Sequence, residues 1–248
     1  MKLHLRLGAA ALILSLAACG QDGGNGSTAA GGGAPVAPVP APNGGDWTET
    51  VATTPEGGFR MGNPDAPVKL VEYASITCPH CADFSSRASE AIKNEYVRSG
   101  RVSWEYRSFM LNPFDIAIFM AIGCQGPQPS FKLIEQLYAD QPTWVARLQA
   151  IPPAEAQRIS ALPDGERFKA TFAATGLAPF FGQRGATQAS IDQCLTDKAN
   201  LDKLVALSER GRSDGVTGTP TFLINGRLAE GAADWNVLRG QLDEALRG

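Results

Sequence analysis

Apolar and polar residues alternate through residues 68–74, a β-rich run that reads as a strand, and over 82–98 the spacing turns helical. A second strand is predicted over 102–109. From residue 114 to about 212 the pattern is helical, in segments 115–124, 130–139, 143–150, 153–161, 186–195 and 198–212 separated by Pro and Gly. Two short β runs, 221–224 and 227–229, flank Asn225-Gly226, the strongest short-range signal for a hairpin with a type I′ turn. A last amphipathic helix over 234–246 puts Trp235, Leu238, Leu242 and Leu246 on one face, with Asp234 as its N-cap. Strands on either side of a long helical stretch predict an α/β fold carrying an inserted α-helical subdomain.

The N-terminus reads differently. Lys2, His4 and Arg6 precede a short apolar run, and Leu16-Ala17-Ala18-Cys19 follows, so residues 1–18 read as an export signal. The four residues resemble the lipobox of bacterial lipoproteins, which makes Cys19 the expected lipidation site. An ordinary signal peptide cleaved near Ala18 is the alternative. Either way the protein is expected in an oxidising, extracytoplasmic compartment, and as a lipoprotein it would be membrane-anchored. Residues 19–58 are rich in Gly, Ala and Pro and read as a flexible tether. The folded region then divides into 59–112, the helical subdomain 113–213, and 214–248. A tether leaves no room for a dimerisation domain, so a monomer is expected.

Chemistry concentrates in Cys78-Pro79-His80-Cys81, between the first strand and the helix after it. Unpaired N–H groups and the positive end of the helix dipole favour a thiolate there. Cys78 is therefore the expected nucleophile and Cys81, a turn deeper, the resolving thiol. Pro79 suits the first helical position, and His80 offers a donor or a positive charge near the sulfur. A stabilised thiolate favours the reduced form and makes the disulfide an oxidant. No cofactor or metal is expected: zinc needs more ligands than the separated Cys124 and Cys194 offer.

With Cys19 lipidated, four of the five cysteines remain. Cys78 and Cys81 form one pair, leaving Cys124 and Cys194 to make a structural bridge or to stay as separate buried thiols. Net charge is −3 with no basic stripe, which argues against nucleic acid. His80 is the one histidine after His4, which excludes a hydrolytic triad.

The order strand, CPHC, helix, strand, helical insertion, Gly218-Thr219-Pro220, hairpin, helix resembles the DsbA-type branch of the thioredoxin superfamily. The resemblance implies a thioredoxin-like fold and thiol:disulfide oxidoreductase activity on exported reduced proteins, with a DsbB-like membrane oxidase as partner. It makes Glu72, six residues before Cys78, the buried acid that shuttles a proton to Cys81, and Thr219-Pro220 the substrate-binding cis-proline loop. Threonine before the proline is common in the isomerase branch, where DsbA oxidases typically carry valine. Isomerase or reductase activity therefore stays open beside oxidase, as does a redox-inert binding or chaperone module.

Overall fold

The alternating run near residue 70 forms the central strand of a six-stranded sheet in the computed structural model, which describes residues 35–247. In chain order the strands are β1 (Val51–Thr53), β2 (Phe59–Met61), β3 (Val68–Ala74), β4 (Val102–Ser108), β5 (Thr221–Ile224) and β6 (Arg227–Leu228). They lie in the order β1-β2-β4-β3-β5-β6. β3 and β4 run parallel with Glu72 opposite Tyr106, and the other pairings are antiparallel. Strand side chains point to alternate faces. Val68, Leu70 and Ala74 accordingly join the main core, while Val71 and Tyr73 pack with Phe109, Val216 and Leu223 on the reverse face.

α1 (Pro79–Ala91) follows β3 after a short loop and continues through a π-helical segment, Ile92–Val97, before β4 begins. Between β4 and β5 lie α2 (Pro113–Gly123), α3 (Ser130–Ala139), α4 (Gln141–Gln149), α5 (Pro153–Ser160), α6 (Asp164–Thr175), α7 (Ala178–Gly182), α8 (Gln188–Leu195) and α9 (Lys198–Ser213). α2 is apolar on nearly every side and its residues from Ala117 to Ile122 are all buried, as such a helix must be. α6 and α7 go beyond the segments the periodicity predicts. The buried face of α6 carries Thr171 and Thr175 beside Phe168 and Phe172, and Gly165 sits in its first turn, which blurs its apolar stripe. α10 (Trp235–Ala245) is capped by the Asp234 carboxylate, which accepts from the Asn236 and Val237 N–H groups. The Asn225-Gly226 turn has positive φ at both residues, 51° and 78°, as a type I′ hairpin requires.

Residues 35–58, expected as tether, are docked on the domain. The Val36 N–H donates to the Leu246 carbonyl and the Val39 N–H to the Ser99 carbonyl, each at 2.9 Å. Trp47 is 7% exposed and its indole donates to the Val39 carbonyl at 2.7 Å. Gly100, at φ 72°, lies under this strap, and a side chain there would collide with the Val39 carbonyl and the Trp47 ring. β1 then adds an edge to the sheet through β2. Gly and Pro content reports local chain stiffness, whereas these contacts come from residues far away in sequence, so composition misplaces the boundary. The export signal 1–18 and Cys19 lie outside the described residues. Among the described residues no helix is long and apolar enough to cross a membrane.

Candidate active site

Cys78 is the N-cap of α1, in extended conformation (φ −77°, ψ 121°), with Pro79 opening the helix. The N-cap position turns the first free N–H groups of the helix toward its side chain. The Cys81 thiol, then the Thr219 hydroxyl, then the backbone N–H groups of Cys81 and His80, favour the Cys78 thiolate and lower its pKa to about 5 against the opposing effect of burial. Cys81 is fully buried. Burial first, then its bond to Cys78 and the negative charges of Cys78 and Glu72, push its thiol far above the ordinary range. Both are free cysteines in the structure, and their surroundings push them in opposite directions, Cys78 toward the anion and Cys81 toward the protonated form.

His80 contributes through its backbone N–H. Its side chain is exposed, and in this reduced form no side-chain hydrogen bond ties it to Cys78.

Glu72 is 2% exposed on the central strand, and its one hydrogen-bond partner is the Trp104 indole N–H at 3.1 Å. Burial pushes its carboxyl up to about 8, with a smaller contribution from the charge of Glu135. A carboxyl in that range is largely protonated at neutral pH and can give or take a proton there. The Thr219–Pro220 peptide is cis, and the Thr219 carbonyl lies 3.3 Å from Cys78 Sγ. The loop before β5 thus closes over the thiol. The Thr219 hydroxyl is buried and has no hydrogen-bond partner in the structure.

The structure brings Cys78, Pro79, His80, Cys81, Glu72, Thr219 and Pro220 together. Cys124 and Cys194 stand apart from them. They are joined by a disulfide with Cα atoms 6.0 Å apart, tying the end of α2 to α8. Among the described residues no cluster of His, Cys, Asp or Glu is placed to hold a metal ion.

Four functional neighbours carry no sequence signal of their own. Trp104 reaches Glu72 from β4. Tyr138 of α3 donates to the Ser75 carbonyl at 3.0 Å, and Gln141 of α4 donates to the Ile76 and Cys78 carbonyls at 2.9 and 3.0 Å. Asp115 of α2, fully buried, accepts from Ser75 Oγ and from the Thr77 N–H at 3.0 Å. Only tertiary packing delivers them.

A family model described as thioredoxin matches residues 54–244 of the chain. The crystal structure of a protein-disulfide isomerase from Novosphingobium aromaticivorans is 31% identical, with a TM-score of 0.72, over 76% of this chain and 97% of that one. Wolbachia pipientis alpha-DsbA1 is 22% identical, with a TM-score of 0.61, over 81% and 96%. A candidate protein-disulfide oxidoreductase of Rickettsia bellii is 24% identical across 77% of this chain and 65% of its own length. The chain spans 59–65% of the length of four such Rickettsia relatives. Matched over most of its length by the family model, and over nearly all of a 31%-identical structure, the chain belongs to the thioredoxin family, and its fold with a helical insertion is like that of the DsbA structure.

Proposed function

We propose that this protein catalyses thiol–disulfide exchange on exported proteins and runs as a disulfide-forming oxidase. The observation that carries the reading is the asymmetry of its two thiols: a stabilised Cys78 at the mouth of α1, and a buried, protonated Cys81 with a neutral carboxyl beneath the site. The cycle starts from the Cys78–Cys81 disulfide. A substrate thiolate attacks Cys78 Sγ and the S–S bond breaks. Cys81 leaves with the electron pair and takes a proton, for which Glu72 is the donor. A second substrate thiolate then attacks the substrate sulfur of the mixed disulfide. Cys78 leaves as its stable thiolate, and the substrate departs with a new disulfide. Two electrons have passed to the enzyme, and a membrane oxidase of the DsbB type would take them up.

Thr219 in this reading serves twice. Its backbone pairs with the extended substrate chain in strand fashion, and its hydroxyl gains an acceptor when Cys78 ionises. Lipidation at Cys19 would hold the domain at a membrane in the extracytoplasmic space.

The reduction potential of the Cys78–Cys81 pair tests the direction. About −120 mV is expected for an oxidase of the DsbA kind, whereas a value near thioredoxin's, about −270 mV, sinks the oxidase reading in favour of a reductase. Thr219 before the cis-proline favours isomerase as the second reading, and about −180 mV with disulfide scrambling activity would support it. In Cys81→Ala, mixed disulfides with exported proteins should accumulate, and Cys78→Ser should abolish them. A Cys78 that titrates near the unperturbed value of about 8.5 and forms no adducts points to a redox-inert binding module.

A further inference from the structure

The loop Ser75 to Cys78 passes the chain from β3 to α1, and its carbonyls are held largely by the helical insertion. Ser75 O accepts from Tyr138 Oη, while Ile76 O and Cys78 O both accept from Gln141 Nε2. From α1 itself, Cys78 O receives only the Ala82 N–H, at 3.2 Å. Gln141 is 5% exposed and opens α4. Trp144, one turn on and fully buried, pins that helix with its indole N–H on the Leu137 carbonyl at 2.9 Å. Facing two carbonyl oxygens, the carboxamide can present only its NH₂ group, and each of the two hydrogens serves one acceptor.

We infer that Gln141 is a positioning residue for the nucleophile: its carboxamide, reaching in from the insertion, fixes the carbonyls of Ile76 and of Cys78 itself, in the turn that carries the sulfur, and thereby favours the Cys78 thiolate over the disulfide. The inference rests on Cys78–Cys81 being an exchanging pair. Each carbonyl oxygen is the negative end of a peptide dipole in the turn that carries the nucleophile. Two N–H donors on them offset that charge and hold both peptides so that the His80 and Cys81 N–H groups stay aimed at the sulfur. Reduction places a full negative charge on Cys78, so the arrangement stabilises the reduced form more than the oxidised one. A residue that merely filled space would stabilise both forms equally.

The test uses the full chain with Gln141→Met, which keeps length and apolar bulk and removes both donors, and Gln141→Glu, which keeps shape and replaces donors by acceptors. Three readouts are taken at matched conditions: the redox equilibrium with glutathione, the titration of Cys78 by thiolate absorbance, and thermal unfolding of reduced and oxidised forms. For Gln141→Met the equilibrium should move about tenfold toward the disulfide, a potential about 30 mV more negative. Its Cys78 titration midpoint should rise, and the extra stability of the reduced form should shrink. Gln141→Glu should shift the potential in the same direction, at least as far.

Equal loss of stability in both redox forms, with potential and titration unchanged, overturns the inference. So does a Gln141→Glu protein with the wild-type potential, a result that decides the matter even if Gln141→Met does not fold. A wild-type protein without exchange activity and with an unperturbed Cys78 would remove the exchange reading itself, and this inference with it, whereas an active wild type beside unaffected variants removes the inference alone.

Discussion

Glu72 and Glu105 sit on adjacent strands of one sheet, each nearly buried, and face opposite sides of it. Glu105 is fully partnered: Arg107 donates to its two oxygens at 2.8 and 2.9 Å, and the Thr54 hydroxyl adds a third bond at 2.7 Å. The network runs on through the Tyr73 hydroxyl, which accepts from Arg107 at 3.0 Å and donates to Asp214 at 2.8 Å. Arg210 closes it on the rim, 3.0 Å from Asp214. Glu72 has a single indole N–H. An acid held by a matched cation serves the fold. An acid left almost alone gives up its charge near neutral pH, which is what the proposed proton carrier requires. The functional face is thus marked by what its carboxyl lacks.

The strongest way to break that comparison is Arg107→Met. It leaves Glu105 and Asp214 without their buried cation, which should cost about 3–5 kcal/mol of stability in urea unfolding. The Cys78–Cys81 potential should not move. A shifted potential would mean that the reverse face is coupled to the dithiol and the two faces are not separate systems.

Glu72→Gln is the converse experiment. A carboxyl whose folded pKa exceeds its unfolded value binds more protons in the folded state between the two. In the oxidised protein, where neither active-site cysteine titrates, stability should therefore fall as pH rises from about 4.5 to about 8, and level off above. The loss is roughly 2–4 kcal/mol once relaxation around the buried charge is allowed for. Glu72→Gln should remove this contribution. A wild-type curve that stays flat or rises through the window would show that Glu72 is not destabilised by its charge, and the proton-carrier role would go with it. Tyr73→Phe is a smaller perturbation, breaking one link between Arg107 and Asp214, and should cost about 1 kcal/mol with no effect on exchange.

How much of this could be read beforehand follows from where each interaction is written in the chain. Cys78, Pro79 and Cys81 are neighbours, and their strand–helix setting is a local pattern, so position and chemistry come together. Glu72 and Thr219-Pro220 depend on the family resemblance, because nothing local says that the carboxylate faces inward or that the loop returns to the thiol. Trp104, Gln141, Tyr138 and Asp115 were out of reach. Each is an ordinary residue on a strand or helix whose role depends on which element it meets. The strap at 35–58 failed for the same reason, since a Pro-rich segment that docks and one that floats have the same composition. For His80 the residue type invites a chemical role, and in the reduced form its backbone N–H faces Cys78 while its ring lies in solvent.

The subtlest test sits within the functional face, where Cys78 is shifted opposite to Glu72. A thiol lowered from 9.0 to about 5 on folding binds fewer protons folded than unfolded between those values, so it adds stability as pH rises through that window. That contribution is complete above about pH 9 and disappears as pH falls through about 5. It exists only in the reduced protein. Subtracting the oxidised protein's stability curve from the reduced one cancels the Glu72 contribution to the extent that it is common to both, and leaves the thiols. The difference should rise from about pH 5 toward 9. Cys81, held protonated in the fold, opposes it only as unfolded thiols begin to ionise near the top of that range. Alkylation of the reduced protein should follow the same anion, its rate dropping only when pH falls below about 5. If the difference curve is flat, or if reactivity titrates near pH 8.5, the N-cap does not stabilise the Cys78 thiolate. The asymmetry between the two thiols would then lack the driving force the proposed oxidase needs.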